Sequence, residues 1–188
     1  MEKPGRKRSE DARGAVLRAM RELVTEQGYA HVTIEKIAAR ARVGKPTIYR
    51  WWQSKNAILA ECVLSGEVLP TPVTTDSAAG LSDDATAWFR AVLSYVDDNA
   101  PLLRGLVAAA YEDQTIAAQL AALLADPFEA AFTEWAAAGV GAADVSTRGL
   151  AQLLHGAILY RLSQGSDDGD DLTEELFAIL VSRLRPQA

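Results

Sequence analysis

The chain has 188 residues, of which 49% are hydrophobic, so it can bury a substantial core in one or two domains. Its single cysteine excludes an intramolecular disulfide and a cysteine-only metal site. Residues 1–60 carry 13 Lys and Arg against 6 Asp and Glu, a net charge of +7, whereas residues 61–188 carry 6 against 19, a net of −13. This asymmetry favours a phosphate-binding N-terminal part. An accidental distribution of solvated charges is the alternative.

Two amphipathic helices are predicted first. Apolar residues recur at spacings of three and four from Glu10 to Gln27, with Ser9 as the cap. The hydroxyl of Thr33 is expected to cap the second helix. The basic residues at the start of the chain are predicted to be disordered, and they form either an arm that contacts DNA or a simple tail: Lys3, Arg6, Lys7 and Arg8.

A third helix is predicted to begin near Gly44, because Pro46 is tolerated only in a first turn. Successive residues at 100° divide this helix into two faces. One face is expected to be core and holds Ile48 and Trp52. The other points outward and combines groups suited to a DNA major groove, namely Thr47, Arg50 and Trp51. Phosphate contacts are predicted for the flanking residues Lys45, Tyr49 and Lys55.

Several residues of this region occur in a characteristic order: Thr33, Ile37-Ala38, Ala41, Val43, Lys45-Pro46-Thr47-Ile48-Tyr49, Trp51-Trp52 and Ser54-Lys55. This order resembles the DNA-binding domain of the TetR family of repressors, over about the first third of the chain. The resemblance implies a nine-helix protomer, a homodimer, a palindromic operator and a C-terminal domain that binds an inducer.

Two positions of the turn depart from the family pattern. Arg42 stands where such proteins usually have Gly, and Gly44 where Ser is common. A left-handed backbone at Arg42 would cost about 1 kcal/mol, which a phosphate contact could offset. The predicted DNA-binding set is therefore Thr33, Arg42, Lys45, Pro46, Thr47, Tyr49, Arg50, Trp51 and Lys55.

The acidic remainder is predicted to be helical. A fourth helix, capped by Ser54, extends to about Gly66, and the turn-rich segment from Pro70 to Asp84 is interpreted as a connector. Further helices are expected from Ser82 or Asp83 onward, with breaks near Asn99 and Gly139. The fold class is thus all-α, with about nine helices. We expect residues 1–53 to form a helix-turn-helix DNA-binding domain and residues 54–188 a helical ligand-binding and dimerisation domain.

Large aromatic residues separated by alanines are typical of a bundle that encloses an apolar pocket, although plain core is the alternative. The predicted ligand-binding residues are Trp88, Tyr95, Leu103, Leu106, Tyr111, Phe128, Phe132, Trp135, Gln152 and His155. Two apolar stripes follow, from Val145 to Leu162 and from Leu172 to Leu184. The second is apolar on nearly two faces and is expected to need a partner subunit, in line with the family pattern in which the last two helices form the dimer interface, although plain core is the alternative for both.

The leading hypothesis is a ligand-responsive transcriptional repressor, which binds a palindromic operator as a homodimer and is released by a small hydrophobic inducer. The alternatives are a constitutive DNA-binding regulator and a helical ligand-binding protein without DNA binding. Two histidines, one cysteine and the lack of a catalytic motif argue against an enzyme. No cofactor, metal or membrane span is predicted, and we expect a cytoplasmic protein.

Overall fold

The computed structural model describes residues 4–65, 78–137, 146–164, 173 and 175–179. These residues form nine α-helices, a 3-10 turn at Tyr29–His31 and a further helical stretch at 175–179, with no strand among them. The helices are α1 (Pro4–Gln27), α2 (Ile34–Ala41), α3 (Lys45–Tyr49), α4 (Lys55–Leu64), α5 (Ala78–Asp98), α6 (Ala100–Ala110), α7 (Gln114–Leu124), α8 (Asp126–Ala137) and α9 (Thr147–Gln164). The predicted all-α class is confirmed.

Side-chain caps define two of the early helices. The hydroxyl of Thr33 accepts a hydrogen bond from the Lys36 N–H at 3.3 Å, and that of Ser54 accepts one from the Ala57 N–H at 3.2 Å. Each satisfies an amide that a helix start leaves without an intrahelical partner. Both caps agree with the sequence prediction. The carboxylate of Asp113 caps α7 in the same way, by accepting from the Thr115 N–H at 2.8 Å.

Two predicted helix starts are wrong. α1 begins at Pro4, not after Ser9, so the prediction that Arg6, Lys7 and Arg8 precede the helix is incorrect. α5 begins at Ala78, within the predicted connector. In both places the helix begins earlier than the predicted cap: Pro4 is tolerated because it lies in the first turn, where its missing N–H is not needed, and the α5 extension includes Gly80 despite its low helix propensity. The rest of the connector, the Gly139–Gly141 break and most of the final apolar stripe lie outside the described residues.

The chain divides into two compact units. The first comprises residues 1–68 and 101–119, and the second residues 69–100 and 120–188. In the first unit, α1, α2, α3 and α4 bury a common core that includes Met20, Ile37, Ile48 and Ile58, each with no exposed surface. These two units do not coincide with the predicted domains, residues 1–53 and 54–188. That functional boundary stays a prediction.

A glycine explains why α6 can pack in the first unit. A Cβ atom at Gly105 would lie 2.9 Å from Cβ of Tyr29 and 3.1 Å from a methyl group of Leu59. Only a residue without a side chain fits between the 3-10 turn and α4 at this point. The close approach brings Leu103 and Leu106 of α6 into the buried part of the first unit.

Aromatic packing and a buried charge hold together the part of the second unit that the structure describes. Trp88, Phe89, Phe128, Phe132 and Trp135 are each no more than 4% exposed. Arg161 of α9 is also buried, and its guanidinium donates two hydrogen bonds, of 2.9 and 2.7 Å, to the carboxylate of Asp97 on α5. This bidentate pair joins α5 to α9 through two residues that are 64 positions apart in the sequence.

None of the described helices is both long and apolar enough to cross a membrane. Over the same ranges, no three His, Cys, Asp or Glu side chains lie together in a way that could hold a metal ion.

Candidate functional site

A tight turn of three residues joins α2 to α3. Arg42 ends α2 with a left-handed backbone, at φ 55° and ψ 41°, and the Val43 N–H returns to the Ala38 carbonyl at 3.0 Å. Gly44 then caps α3 with an extended backbone and without a side-chain hydrogen bond, and Pro46 occupies the first turn. The backbone thus turns sharply between two helices, which is the geometry of a helix-turn-helix. Both departures from the family pattern are accommodated.

The predicted division of α3 and the following turn into core and surface is confirmed. Ile48 is fully buried and Trp52 is 4% exposed, whereas Tyr49 is 54% and Trp51 40% exposed. The exposed set also includes Arg42, Lys45, Pro46 and Arg50, and Thr47 is half-buried. α3 itself ends at Tyr49, but the Trp52 N–H still reaches the Ile48 carbonyl at 3.0 Å. Helical winding therefore continues far enough to carry Arg50 and Trp51 to the surface.

The side chain of Arg50 is held from two sides. Its Nη2 donates a hydrogen bond to the Ser9 hydroxyl at 2.8 Å, and its guanidinium lies 5.5 Å from the centre of the Trp51 ring. Arg13, one turn after Ser9 on the same face of α1, lies 5.4 Å from the same ring. A guanidinium over an indole is attracted by the negative face of the ring. α1 thus supports the exposed end of the helix-turn-helix.

Beneath this surface, Glu61 of α4 anchors the buried tryptophan. Its carboxylate accepts a hydrogen bond from the Trp52 Nε1–H at 2.9 Å and pairs with Arg13 at 2.8 Å. The buried indole N–H is therefore satisfied, as a polar group removed from water requires. Glu61 connects α4 to α1 and to the turn after α3.

Lys45 forms a salt bridge that a phosphate would have to replace. Its Nζ lies 2.6 Å from the carboxylate of Glu35 in the first turn of α2, and both side chains are at least half exposed. The pairing raises the pKa of Lys45 and lowers the pKa of Glu35, chiefly through this hydrogen bond. Lys45 is charged and accessible, but it already has an anionic neighbour.

Lys55 differs from the other predicted phosphate contacts. It is half-buried at the start of α4, and its Nζ donates to the carbonyls of Val32 at 3.3 Å and Tyr29 at 3.5 Å. The ammonium also lies 4.3 Å from the centre of the Tyr29 ring, and burial, with the nearby charge of Glu112, raises the pKa of that tyrosine to about 12. These contacts fix Lys55 within the first unit. Its phosphate contact stays a prediction.

Aromatic rings pack closely against one another around Trp88 and Trp135 in the second unit. The ring of Trp88 makes edge-to-face contacts with Phe128 and Trp135 at 5.4 and 5.5 Å, and Trp135 does so with Phe132 at 5.6 Å. The Nε1–H of Trp135 is buried and has no hydrogen-bond partner among the residues that the structure describes. A buried donor without an acceptor carries a desolvation cost, so this indole is chemically suited to a ligand that brings an acceptor.

The other predicted ligand-binding residues are dispersed. Tyr95 is buried in the second unit, and His155 of α9 is half-buried there, so that burial lowers the pKa of its imidazole. Tyr111 is 89% exposed and Gln152 is also exposed, against the prediction that they line an enclosed pocket. Leu103 and Leu106 are fully buried, but in the first unit.

Sequence reasoning missed the residues that support the site. Ser9 was expected to cap a helix, and no role was predicted for Arg13, Glu35, Glu61 or the Asp97–Arg161 pair. The spacing of Ser9 and Arg13 does place them on one face of α1. Their contact with residues about forty positions later has no local signal.

The geometry defines a class of protein. A left-handed turn between two short helices, a polar and aromatic outer face and a basic N-terminal part are the features of a helix-turn-helix regulator.

Comparison with known proteins identifies the family of the N-terminal part. Residues 16–62 match the sequence profile of "Bacterial regulatory proteins, tetR family". Residues 16–62 are therefore a DNA-binding domain of the TetR family, which confirms the predicted resemblance. The matched family and the curated relatives are described as regulatory proteins, in line with the expectation that this chain is not an enzyme.

Relatives extend the similarity beyond the N-terminal part. The chain is 36% identical over 117 residues to the uncharacterized HTH-type transcriptional regulator YdeS of Bacillus subtilis (strain 168), a stretch of 61% of this chain and 58% of that protein. The structure of NalD, the secondary repressor of the MexAB-OprM multidrug efflux pump in Pseudomonas aeruginosa, superposes with a TM-score of 0.65 at 22% identity, over 96% of this chain and all of NalD. Thermus thermophilus FadR, a transcriptional repressor in complex with lauroyl-CoA, gives 0.62 at 22% identity, over 94% and 97%. At this identity the two structures establish a common fold.

Proposed function

We propose that this protein is a transcriptional repressor that binds double-stranded DNA through the outer face of α3 and the turn after it. The observation that carries the proposal is the exposure of Arg50 and Trp51 on that face, with Arg50 oriented by Ser9. Arg can pair in a bidentate manner with guanine in the major groove, and Thr47 can contact a thymine methyl group. Lys45, Tyr49 and Arg42 flank them and are suited to phosphates.

The distribution of charge supports this orientation. The net charge is +7 over residues 1–60 and −13 over the remainder. A DNA duplex attracts the first and repels the second, so the basic end approaches it. The same electrostatic attraction makes DNA binding sensitive to salt.

A homodimer on a palindromic operator is the second part of the proposal. The outer face of α9 presents Leu153, 57% exposed, and Tyr160, 51% exposed, with Gly156 between them, where an added Cβ would meet nothing within 4 Å. These three residues lie on one face of the helix, opposite the buried Leu154 and Ile158. An apolar helix face with a glycine at its centre is suited to packing against a second copy of the same helix. A dimer with two-fold symmetry would bind a DNA site with the same symmetry, which is a palindrome.

Release by a small hydrophobic inducer is the third part. The buried Nε1–H of Trp135, without a partner among the described residues, would be satisfied by a ligand carbonyl or ether oxygen. Trp88 and the phenylalanine rings around it would contact the apolar body of the ligand. Two proteins of the same fold are described as repressors, and one of them was crystallised with lauroyl-CoA.

A gel-shift assay tests the DNA-binding part. Operator sequences are first selected from random duplexes with the full chain, and affinity is then measured for the selected and a scrambled duplex at two salt concentrations. We expect the selected sequences to be palindromic, with affinity that falls as salt rises and a preference of about 10³-fold or more. Equal, salt-insensitive affinity for the two duplexes would refute the proposal.

Two further measurements test the remaining parts. Sedimentation of the wild type and of Tyr160→Glu compares dimer with monomer, because a charge on the outer face of α9 would be buried in the dimer. Tryptophan fluorescence during a screen of hydrophobic compounds reports on Trp88 and Trp135. A regulator that binds its operator but responds to no compound would be constitutive, which is the alternative function.

A further inference from the structure

Both oxygens of the Glu61 carboxylate are engaged, and each contacts a different part of the first unit. Oε2 accepts a hydrogen bond from the Trp52 Nε1–H at 2.9 Å, and Oε1 lies 2.8 Å from Nη2 of Arg13. The indole of Trp52 is buried, whereas the Arg13 side chain is 44% exposed. One carboxylate of α4 therefore joins the buried side of the turn after α3 to an exposed guanidinium of α1.

Arg13 extends this connection to the exposed face. Its guanidinium lies 5.4 Å from the centre of the Trp51 ring, and the guanidinium of Arg50 lies 5.5 Å from the same centre. Each cation is attracted by the ring, but two like charges beside one ring repel each other. Glu61 compensates the charge of Arg13 and so allows both cations to stay beside the indole.

Trp51 depends on such neighbours because it lies beyond the end of α3. That helix ends at Tyr49, and the backbone N–H groups of Trp51 and Trp52 share the Ile48 carbonyl, at 2.9 and 3.0 Å. Regular helical hydrogen bonding stops at this point. The Trp51 side chain is also exposed, so its orientation is set by the side chains that touch it.

We propose that Glu61 is a positioning residue for the DNA-binding face: it holds Arg13 against Trp51 and thereby raises the preference for one DNA sequence over others. This rests on the proposed function, since it concerns the readout of DNA by Arg50 and Trp51. The same ion pair keeps Arg13 from a phosphate, and a phosphate contact adds affinity for any sequence. Glu61 therefore fixes the recognition surface and lowers affinity for random DNA.

Glu61→Gln separates the two contacts of the carboxylate. The amide oxygen of glutamine can still accept from the buried Trp52 Nε1–H, whereas the charge that holds Arg13 is lost. We expect affinity for the scrambled duplex to rise about two- to fivefold at low salt, while the preference for the selected operator falls about two- to fivefold. Gel shifts of the full chain with both duplexes measure the two effects, and circular dichroism checks the fold.

The matched control is Glu22→Gln, which removes the same charge from a pair with Arg40 in the same unit, at 3.0 Å. It should change affinity for both duplexes alike and leave their ratio unchanged. An unchanged ratio in Glu61→Gln would overturn the proposal, because a purely electrostatic effect of Glu61 acts on all DNA equally. A wild type without any sequence preference would instead refute the proposed function, and this proposal with it.

A double-mutant cycle tests the route through Arg13. Arg13→Met removes the charge but keeps an unbranched side chain that can pack against the ring. If Glu61 acts through Arg13, the variant with both changes should have the same sequence preference as Arg13→Met alone. Additive losses of preference would overturn this route.

Fluorescence tests the same contact without DNA. Acrylamide should quench Glu61→Gln more strongly than the wild type, because Trp51 loses a neighbour that covers its ring. The increase should be absent when Trp51→Phe is also present, which assigns it to this indole. Unchanged quenching in Glu61→Gln would overturn the proposal whatever the gel shifts show.

Discussion

The guanidinium of Arg50 donates a hydrogen bond to the hydroxyl of Ser9 at 2.8 Å, across 41 positions of the sequence. The contact joins α1 to the exposed end of the helix-turn-helix, where Trp51 also contacts Arg50. An arginine that is already oriented loses less conformational entropy when it pairs with a base. We therefore expect the proposed readout of sequence by Arg50 to depend on Ser9 of α1.

We expect Arg50→Ala to weaken binding to the selected operator by about 5- to 150-fold, because a bidentate contact with a base discriminates by ~1–3 kcal/mol. Binding to scrambled DNA should change much less. Ser9→Ala should lower operator affinity by roughly three- to tenfold. Gel shifts with both duplexes measure these effects, and Thr25→Val, on the same helix, is the control.

A double-mutant cycle separates positioning from a direct DNA contact. If Ser9 acts through Arg50, the variant that carries both changes should bind no more weakly than Arg50→Ala alone. Additive losses would show that Ser9 contacts DNA by itself.

Glu35→Gln should raise DNA affinity by about two- to fivefold for any sequence at low salt, because Lys45 no longer has to leave a carboxylate to reach a phosphate. The increase should shrink as salt rises, since the pair is exposed and screened. Salt-dependent gel shifts measure it. The control is Glu134→Gln, which removes the same charge from an exposed residue of α8 and should have no comparable effect. An unchanged affinity in Glu35→Gln would exclude Lys45 as a phosphate contact.

Arg42→Gly should stabilise the protein by ~0.5–1 kcal/mol, because a left-handed backbone at φ 55° is unfavourable for a residue with a Cβ atom. The control is Arg40→Gly within α2, which should destabilise it by ~1 kcal/mol or more, through lost helix propensity and through the loss of the ion pairs with Glu22 and Glu26. Urea unfolding measures both. If Arg42→Gly is more stable yet binds all DNA more weakly, the arginine is retained for a phosphate.

The pH dependence of stability should include a contribution from His155, whose pKa burial lowers from the ordinary value of 6.5. The unfolded chain then takes up a proton at a higher pH than the folded one. This contribution to stability is complete above about pH 6.5 and is lost as the pH falls from there towards the folded pKa.

We therefore expect His155→Gln to show a smaller fall in Tm than the wild type between about pH 7.5 and pH 5.5. Thermal unfolding followed by circular dichroism measures the difference. His31→Gln, on the exposed 3-10 turn, should behave as the wild type. An equal fall in all three proteins would contradict the assignment.

Asp97→Asn should destabilise the protein by ~1–3 kcal/mol, because it weakens two hydrogen bonds to the buried guanidinium of Arg161. Asp98→Asn, the exposed neighbouring residue, is a matched control and should change stability by less than about 0.5 kcal/mol. Chemical unfolding compares them. Similar values for the two variants would show that the Asp97–Arg161 pair contributes no more than a surface charge.

Local sequence signals predicted several elements well. Thr33 and Ser54 cap helices as expected, because a capping hydroxyl acts on amides two or three residues away. Ile48 and Trp52 are core and Tyr49 and Trp51 are surface, because helical winding fixes which residues share a face. The start of α1 was predicted too late, because helix propensity alone does not show where a helix begins.

The sequence by itself determined the all-α class, the helix-turn-helix, its resemblance to the TetR family and the charge asymmetry, since each depends on residue types at short, fixed spacings or on their plain count. Only the tertiary structure decided which residues hold those elements in place. Ser9 meets Arg50, Glu61 meets Trp52 and Arg161 meets Asp97 because helices distant in sequence pack together. Tyr111 is exposed for the same reason, since burial depends on what covers a residue and not on its own apolar character.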